Sequence, residues 1–130
     1  MKANELQIGD YVNYRGQNIK VTSLYDKGGS NEVGWSDKEN VWVNADNVEP
    51  IPLTPEILEK NGFEKQGFDG WLLDSKDLSW LILWRTDFSS PHLRIDSYSS
   101  KRGSFSSAVS YVHTLQHALH LCGIEKEIEL

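Results

Sequence analysis

Apolar and polar positions alternate in short runs through the first fifty residues, and the period then changes twice. The short runs are Tyr11 to Tyr14, Ile19 to Tyr25, Glu32 to Trp35, Val41 to Val43 and Val48 to Leu53. Gly, Asn, Asp or Ser bounds most of them, as expected of strands separated by turns. Leu6 and Ile8 lead into a Gly9-Asp10 turn signal, and Arg15-Gly16-Gln17-Asn18 reads as the next turn. Ile19 to Tyr25 alternates well enough to predict one half-buried strand. Asp26 to Asn31, with Gly28-Gly29, predicts a polar loop, and Asn44 to Asn47 a single helical turn.

Strands this short and evenly spaced predict a small barrel, closed or nearly so. Their order resembles an SH3-like β-barrel over residues 1–53, notably in the Gly9-Asp10-Tyr11-Val12 entry and the helical turn before the last strand. Many unrelated functions use that fold, so it implies no activity. Pro50 and Pro52 then form a stiff connector. Thr54-Pro55-Glu56 starts a helix with a capping hydroxyl, a fixed φ and a favourable charge, and Asn61-Gly62 stops it. Three strands are predicted next: Trp71 to Asp74, Leu78 to Arg85 and Leu93 to Tyr98. Both faces of the middle one are mostly apolar, which predicts a central strand covered on both sides. Ser99 to Ser107 reads as a linker into Ala108–Gly123, the longest stretch with helical period. The expected fold class is α+β. An SH3-like β-barrel (1–53) precedes a subdomain (54–130) of helix, three-stranded antiparallel meander and long C-terminal helix.

Charge narrows the partners. The net charge is −6, and the portions before and after Pro50 each carry −3. No cationic run is present to neutralise phosphates, so nucleic acid is disfavoured as a partner. Cys122 is the single cysteine, which excludes an intrachain disulfide and a cysteine-rich zinc site. The first residues lack the apolar run of a secretory signal, and no apolar stretch reaches membrane-spanning length, so a cytoplasmic setting is expected.

His113, His117 and His120 fall within an arc of about 60° on the last helix, a spacing that can present imidazoles to a metal. Tyr111, Val112, Leu115, Ala118, Leu119 and Cys122 lie nearly opposite, and that apolar arc must face the core. The histidines are therefore expected to point outward or against a second surface. No carboxylate on the same helix is there to orient them. His92 is expected in a loop. His113 with Gln116 reads as a structural anchor to neighbouring backbone rather than as chemistry. Tyr11, Tyr14, Tyr25, Trp35 and Trp42 either fill the barrel or line a groove for a peptide or single-stranded nucleic acid; charge favours the peptide. Tyr11, Tyr14, Trp35 and Trp42 are the partner-binding candidates. No nucleophile motif or phosphate loop is present, so no enzyme and no cofactor are expected.

Three blocks carry a resemblance across nearly the whole chain: Met1-Lys2…Glu5-Leu6…Ile8-Gly9…Tyr11-Val12, Pro50-Ile51-Pro52-Leu53-Thr54 and Tyr111-Val112-His113…Leu115-Gln116. Together they resemble a group of small uncharacterised proteins of gut anaerobic bacteria and their phages or mobile elements. The last block is the most specific. The chain departs from the pattern after Gln116, with His117-Ala118-Leu119-His120 where Asn, Leu and aromatics are expected, so only His113 of the histidine stripe matches. The resemblance implies this architecture and a cytosolic setting, and no mechanism. The functional expectation is a non-enzymatic module that binds a protein partner. Association with nucleic acid is the alternative, and metal-dependent hydrolysis a remote third.

Overall fold

Tight turns at glycine set the register of the N-terminal half. A computed structural model describes residues 1–28, 30–35, 41–66, 70–75, 78–85, 92–97, 109–121 and 126–130. It is mixed α+β, with small antiparallel sheets and a C-terminal helix, and it divides into two units, Met1–Ile51 and Pro52–Leu130.

In the first unit, β1 (Tyr11–Tyr14) and β2 (Gln17–Lys20) are joined by Arg15 and Gly16 alone. Both have positive φ, 50° and 81°, the signature of the type I′ turn that matches strand twist. The expected four-residue turn is thus two residues long, and Gln17 and Asn18 belong to β2. The expected strand Ile19 to Tyr25 is also divided. Val21 still bonds the first sheet: its N–H donates to Asp10 C=O and its C=O accepts from Gly9 N–H, both at 2.8 Å. The next residue, Thr22, donates instead to Gly34 C=O at 2.9 Å. The chain therefore switches sheets between Val21 and Thr22 and continues as β3 (Ser23–Lys27). Alternation runs unbroken through a bend, so it cannot mark one.

β3 pairs with β4 (Ser30–Gly34), and β4 with β5 (Trp42–Asn44). Lys27 pairs directly with Ser30, so the expected polar loop is a two-residue hairpin connection. A 3₁₀ turn at Ala45–Asn47 follows, with Asn44 Oδ1 accepting from Asp46 N–H at 2.9 Å. β6 (Val48–Glu49) then returns to pair with β1. Among the described residues these strands form two three-stranded sheets, β2-β1-β6 and β3-β4-β5; the expected barrel was closed or nearly so, and no closed barrel is found. Leu6 and Ile8 form no strand. Leu6 is buried, and Ile8 lies exposed on a turn in which Asp10 N–H donates to Gln7 C=O. The core is aliphatic throughout: Ala3, Leu6, Val12, Ile19, Val21, Val33, Ala45 and Val48.

In the second unit, α1 (Pro55–Lys60) is defined at both ends by local chemistry. Thr54 Oγ1 accepts from Ile57 N–H at 3.3 Å. At the other end Gly62, at φ +85°, donates to Glu59 C=O, and Phe63 N–H donates to Leu58 C=O. This is a Schellman motif, and its two apolar partners, Leu58 and Phe63, are both buried. β7 (Glu64–Gln66), β8 (Gly70–Ser75), β9 (Leu78–Arg85) and β10 (His92–Ser97) follow. They form a four-stranded antiparallel sheet in the order β10-β9-β8-β7, not the three-stranded meander expected. The missed strand, Glu-Lys-Gln, is an edge strand with no apolar position to reveal it. Trp71 and Leu73 are the buried face of β8. The side chains of β9, the linker Ser99 to Ser107 and Cys122 lie outside what is described, so the expected packing of the last helix on Trp80, Ile82 and Trp84 does too.

The last helix, α2, is Val112–Leu121, shorter at the start than the periodic stretch from Ala108. Its start is fixed by Thr114, whose Oγ1 accepts from Tyr111 N–H at 3.1 Å and donates to Tyr111 C=O at 2.8 Å. Pro52 and Tyr111 form a single antiparallel bridge, with Leu53 N–H donating to Ser110 C=O at 3.1 Å. Residues 126–130 run back to α1.

Candidate functional site

Every tyrosine and tryptophan of the first unit lies at least partly outside the aliphatic core. Tyr14 ends β1 on the same side as buried Val12, and Trp35 follows β4 on the same side as buried Val33. The two rings meet at 5.2 Å between centroids, tilted by 41°, and both pack half-buried against the edge of the core. Arg15, the residue after Tyr14, places its guanidinium carbon 5.3 Å from the Tyr14 centroid. Asn13 Oδ1 accepts from Gly16 N–H at 2.9 Å and so braces the turn that carries Arg15. Trp35, Tyr14 and Arg15 thus form one continuous group, two flat apolar faces and a planar cation.

The other two aromatic candidates are elsewhere. Tyr11 alternates with Val12 onto the opposite face of β1, beside Lys20, whose ammonium is 5.8 Å from its ring centroid. Trp42 points away from the core on β5 and is 41% exposed. Tyr25 lies on the same outer face of that sheet, two strands away. The structure therefore brings Tyr14 and Trp35 together and separates Tyr11 and Trp42 from them, so no single groove holds all four. Arg15 joins this group although no pattern in the sequence singled it out. A positive-φ turn directly after an aromatic strand residue was the available signal.

The histidines, expected to point outward or against a second surface, differ from one another in burial. His113 is buried, only 6% exposed, whereas His117 is intermediate and His120 exposed. On α2 the buried Val112, Leu115, Ala118 and Leu119 share one side about 120° wide, and His113 is buried about 100° beyond Val112, with half-buried Gln116 and exposed His120 between them. Tyr111, expected among the apolar positions, is exposed; its ring stacks on His113 at 5.8 Å, and His117 meets His113 edge-on at 5.7 Å. Gln116 is intermediate in burial. His92 opens β10 opposite Arg85 and is not in a loop. Among the described residues, no three His, Cys, Asp or Glu side chains are grouped to hold a metal ion. No described helix is long and apolar enough to cross a membrane.

Comparison with family models, with curated proteins and with solved structures finds no match for the chain.

Proposed function

We propose that the chain is a non-enzymatic, cytoplasmic protein-interaction module, and that it binds an extended peptide segment of its partner on Tyr14 and Trp35 with Arg15 at one end. The observation that carries this reading is the contrast between a wholly aliphatic core and aromatic rings held at its edge. Large rigid rings held half-buried provide contact area at low entropic cost, which is why aromatics and Arg dominate binding energy in interfaces. Paired aromatic rings on a small β module suit extended, proline-containing segments, and the adjoining guanidinium suits a carboxylate on the peptide.

The reading extends to the fold. The two sheets of the first unit are the halves of an SH3-like barrel. Two features support this: the strand that passes from one sheet to the other at Val21–Thr22, and the last strand that returns to β1 after one 3₁₀ turn. On the sequence resemblance, the setting is a bacterial or mobile-element process.

Selection of peptides from a random display library on the full chain tests the proposal. Enriched peptides should bind Trp35→Ala and Arg15→Asn variants at least about tenfold more weakly, as removal of a binding hot spot does. Trp42→Ser and Tyr111→Ser should bind as the unaltered protein does. Equal binding to Trp35→Ala, with far-UV circular dichroism unchanged, would refute it.

One observation favours a second reading. Arg15 lies over Tyr14 and Lys20 over Tyr11, on opposite faces of one hairpin, so each face offers one ring beside a cation, the pairing on which a base of single-stranded nucleic acid stacks. Electrostatic attraction is strongest at low salt, so an oligonucleotide that fails to bind there eliminates this reading.

A further inference from the structure

The C-terminal end of α1 holds residues 126–130 by contacts that read main chain rather than sequence. Asn61 is buried, only 4% exposed, and its side-chain amide pairs with one residue of the tail in both directions. Its Oδ1 accepts from Glu129 N–H at 2.7 Å, and its Nδ2 donates to Glu129 C=O at 2.8 Å. The second hydrogen of Nδ2 goes to Ile57 C=O at 2.7 Å, which also accepts from Asn61 N–H at 3.2 Å. That bond orients the amide independently of any tail. Lys60 Nζ donates to the Leu130 main-chain oxygen at 2.6 Å, and the Ile128 side chain is fully buried. The side chain of Glu129 is exposed.

We propose that this end of α1 is a binding site for an extended segment of a partner protein, with the chain's own tail as the ligand that fills it in cis. The segment must present an aliphatic side chain, as Ile128 does, followed by a residue whose N–H and C=O are both free to meet Asn61. It must then carry a further main-chain oxygen toward Lys60. Any residue with a main-chain N–H serves at the second position, because Asn61 reads only backbone there. This pairing is the side-chain equivalent of adding one strand residue to a sheet edge. The cis ligand, Lys126 to Leu130, carries charges of both signs, and Glu127 and Glu129 are exposed on either side of buried Ile128, so charged flanks are accepted. The chemistry of the partner is therefore an extended segment with charged flanks around an Ile or a similar aliphatic residue.

A fluorescent peptide with the sequence of Lys126 to Leu130 tests this by anisotropy. The full-length Ile128→Ser variant, whose tail has lost its anchor, should bind it at least about tenfold more tightly than the unaltered protein. There the tethered tail competes at an effective concentration on the order of millimolar. The same peptide methylated on the Glu129 nitrogen cannot donate to Asn61 and should bind roughly tenfold more weakly. Glu129→Pro, which removes that donor from the tail, is the alternative releasing variant should Ile128→Ser fail to fold. A folded releasing variant that does not bind the peptide overturns the proposal. So does equal affinity for the methylated and unmethylated peptides.

Discussion

Asn61 and Glu129, 68 residues apart, are joined through both polar groups of one side-chain amide. The amide also donates to Ile57 C=O, which accepts from Asn61 N–H as well, so the N–H and C=O of Glu129 are the groups that depend on this side chain. Asn61→Ala should therefore lower stability by about 2 kcal/mol, measured by chemical denaturation, with the tail amides exchanging faster. Asn61→Asp should be worse at neutral pH, because its carboxylate would face two carbonyl oxygens. Burial beside them favours the neutral acid, so the folded-state pKa of that Asp lies above the unfolded one. The variant should then regain stability as pH falls through the folded value, and lose it as pH rises.

Two glycines distinguish conformational from steric cost. Gly62 is at φ +85°, and an added Cβ would meet only Lys126 Nζ, at 4.0 Å. Gly62→Ala should cost about 1 kcal/mol from left-handed backbone alone, and no neighbouring substitution should recover it. At Gly34 an added Cβ would run into Ser23 Oγ and lie 3.3 Å from Val41 O. Gly34→Ala should also destabilise, but Ser23→Ala should return most of the loss in a double-mutant cycle.

Removing the cap of α1 by Thr54→Ala should cost about 1 kcal/mol, while Thr54→Ser, which keeps the accepting hydroxyl, should cost far less. Thermal denaturation of the three proteins side by side measures the difference.

Arg15 is the one described non-glycine residue with positive φ. Arg15→Val should cost more than about 1 kcal/mol, since a β-branched side chain tolerates that backbone poorly. Arg15→Asn should leave stability within about 0.5 kcal/mol, because Asn relieves the turn by about as much as loss of the tyrosine contact removes. A cost near that of the valine variant would show that the guanidinium, not the backbone, decides the energy.

Stoichiometric zinc or nickel should leave the melting temperature unchanged, because His113 is buried against Tyr111 while His120 is exposed. A metal bound to the native state would raise it.

How much of this was legible in the sequence follows from how local each cause is. α1 was fully readable, since Thr54, Pro55 and Gly62 act within one turn of the helix they delimit. The 3₁₀ turn before β6 was readable for the same reason. The start of α2 could have been found from Thr114, three residues after Tyr111, had the hydroxyl been weighed against the periodicity. The sheet switch at Val21–Thr22, the edge strand β7 and the anchoring of Ile128 were not readable. Each depends on pairing with distant residues and leaves no change of period. Whether each histidine meets solvent or a second surface was not readable, because an arc of apolar residues gives the centre of a buried face and not its width. In the candidate site the rings themselves were identifiable, but their grouping was not. Tyr11 and Tyr14 differ by an odd number of positions on one strand, which sends them to opposite faces.

The switch at Val21–Thr22 has a consequence for how the first unit opens. Adjacent amides there are held by different sheets, Val21 by Asp10 and Thr22 by Gly34. Fraying of either sheet alone can free one amide hydrogen while its neighbour stays protected. If the two exchange with deuterium at one common free energy, the sheets unfold as a single cooperative unit, and the peptide bond between these residues is the hinge that couples them.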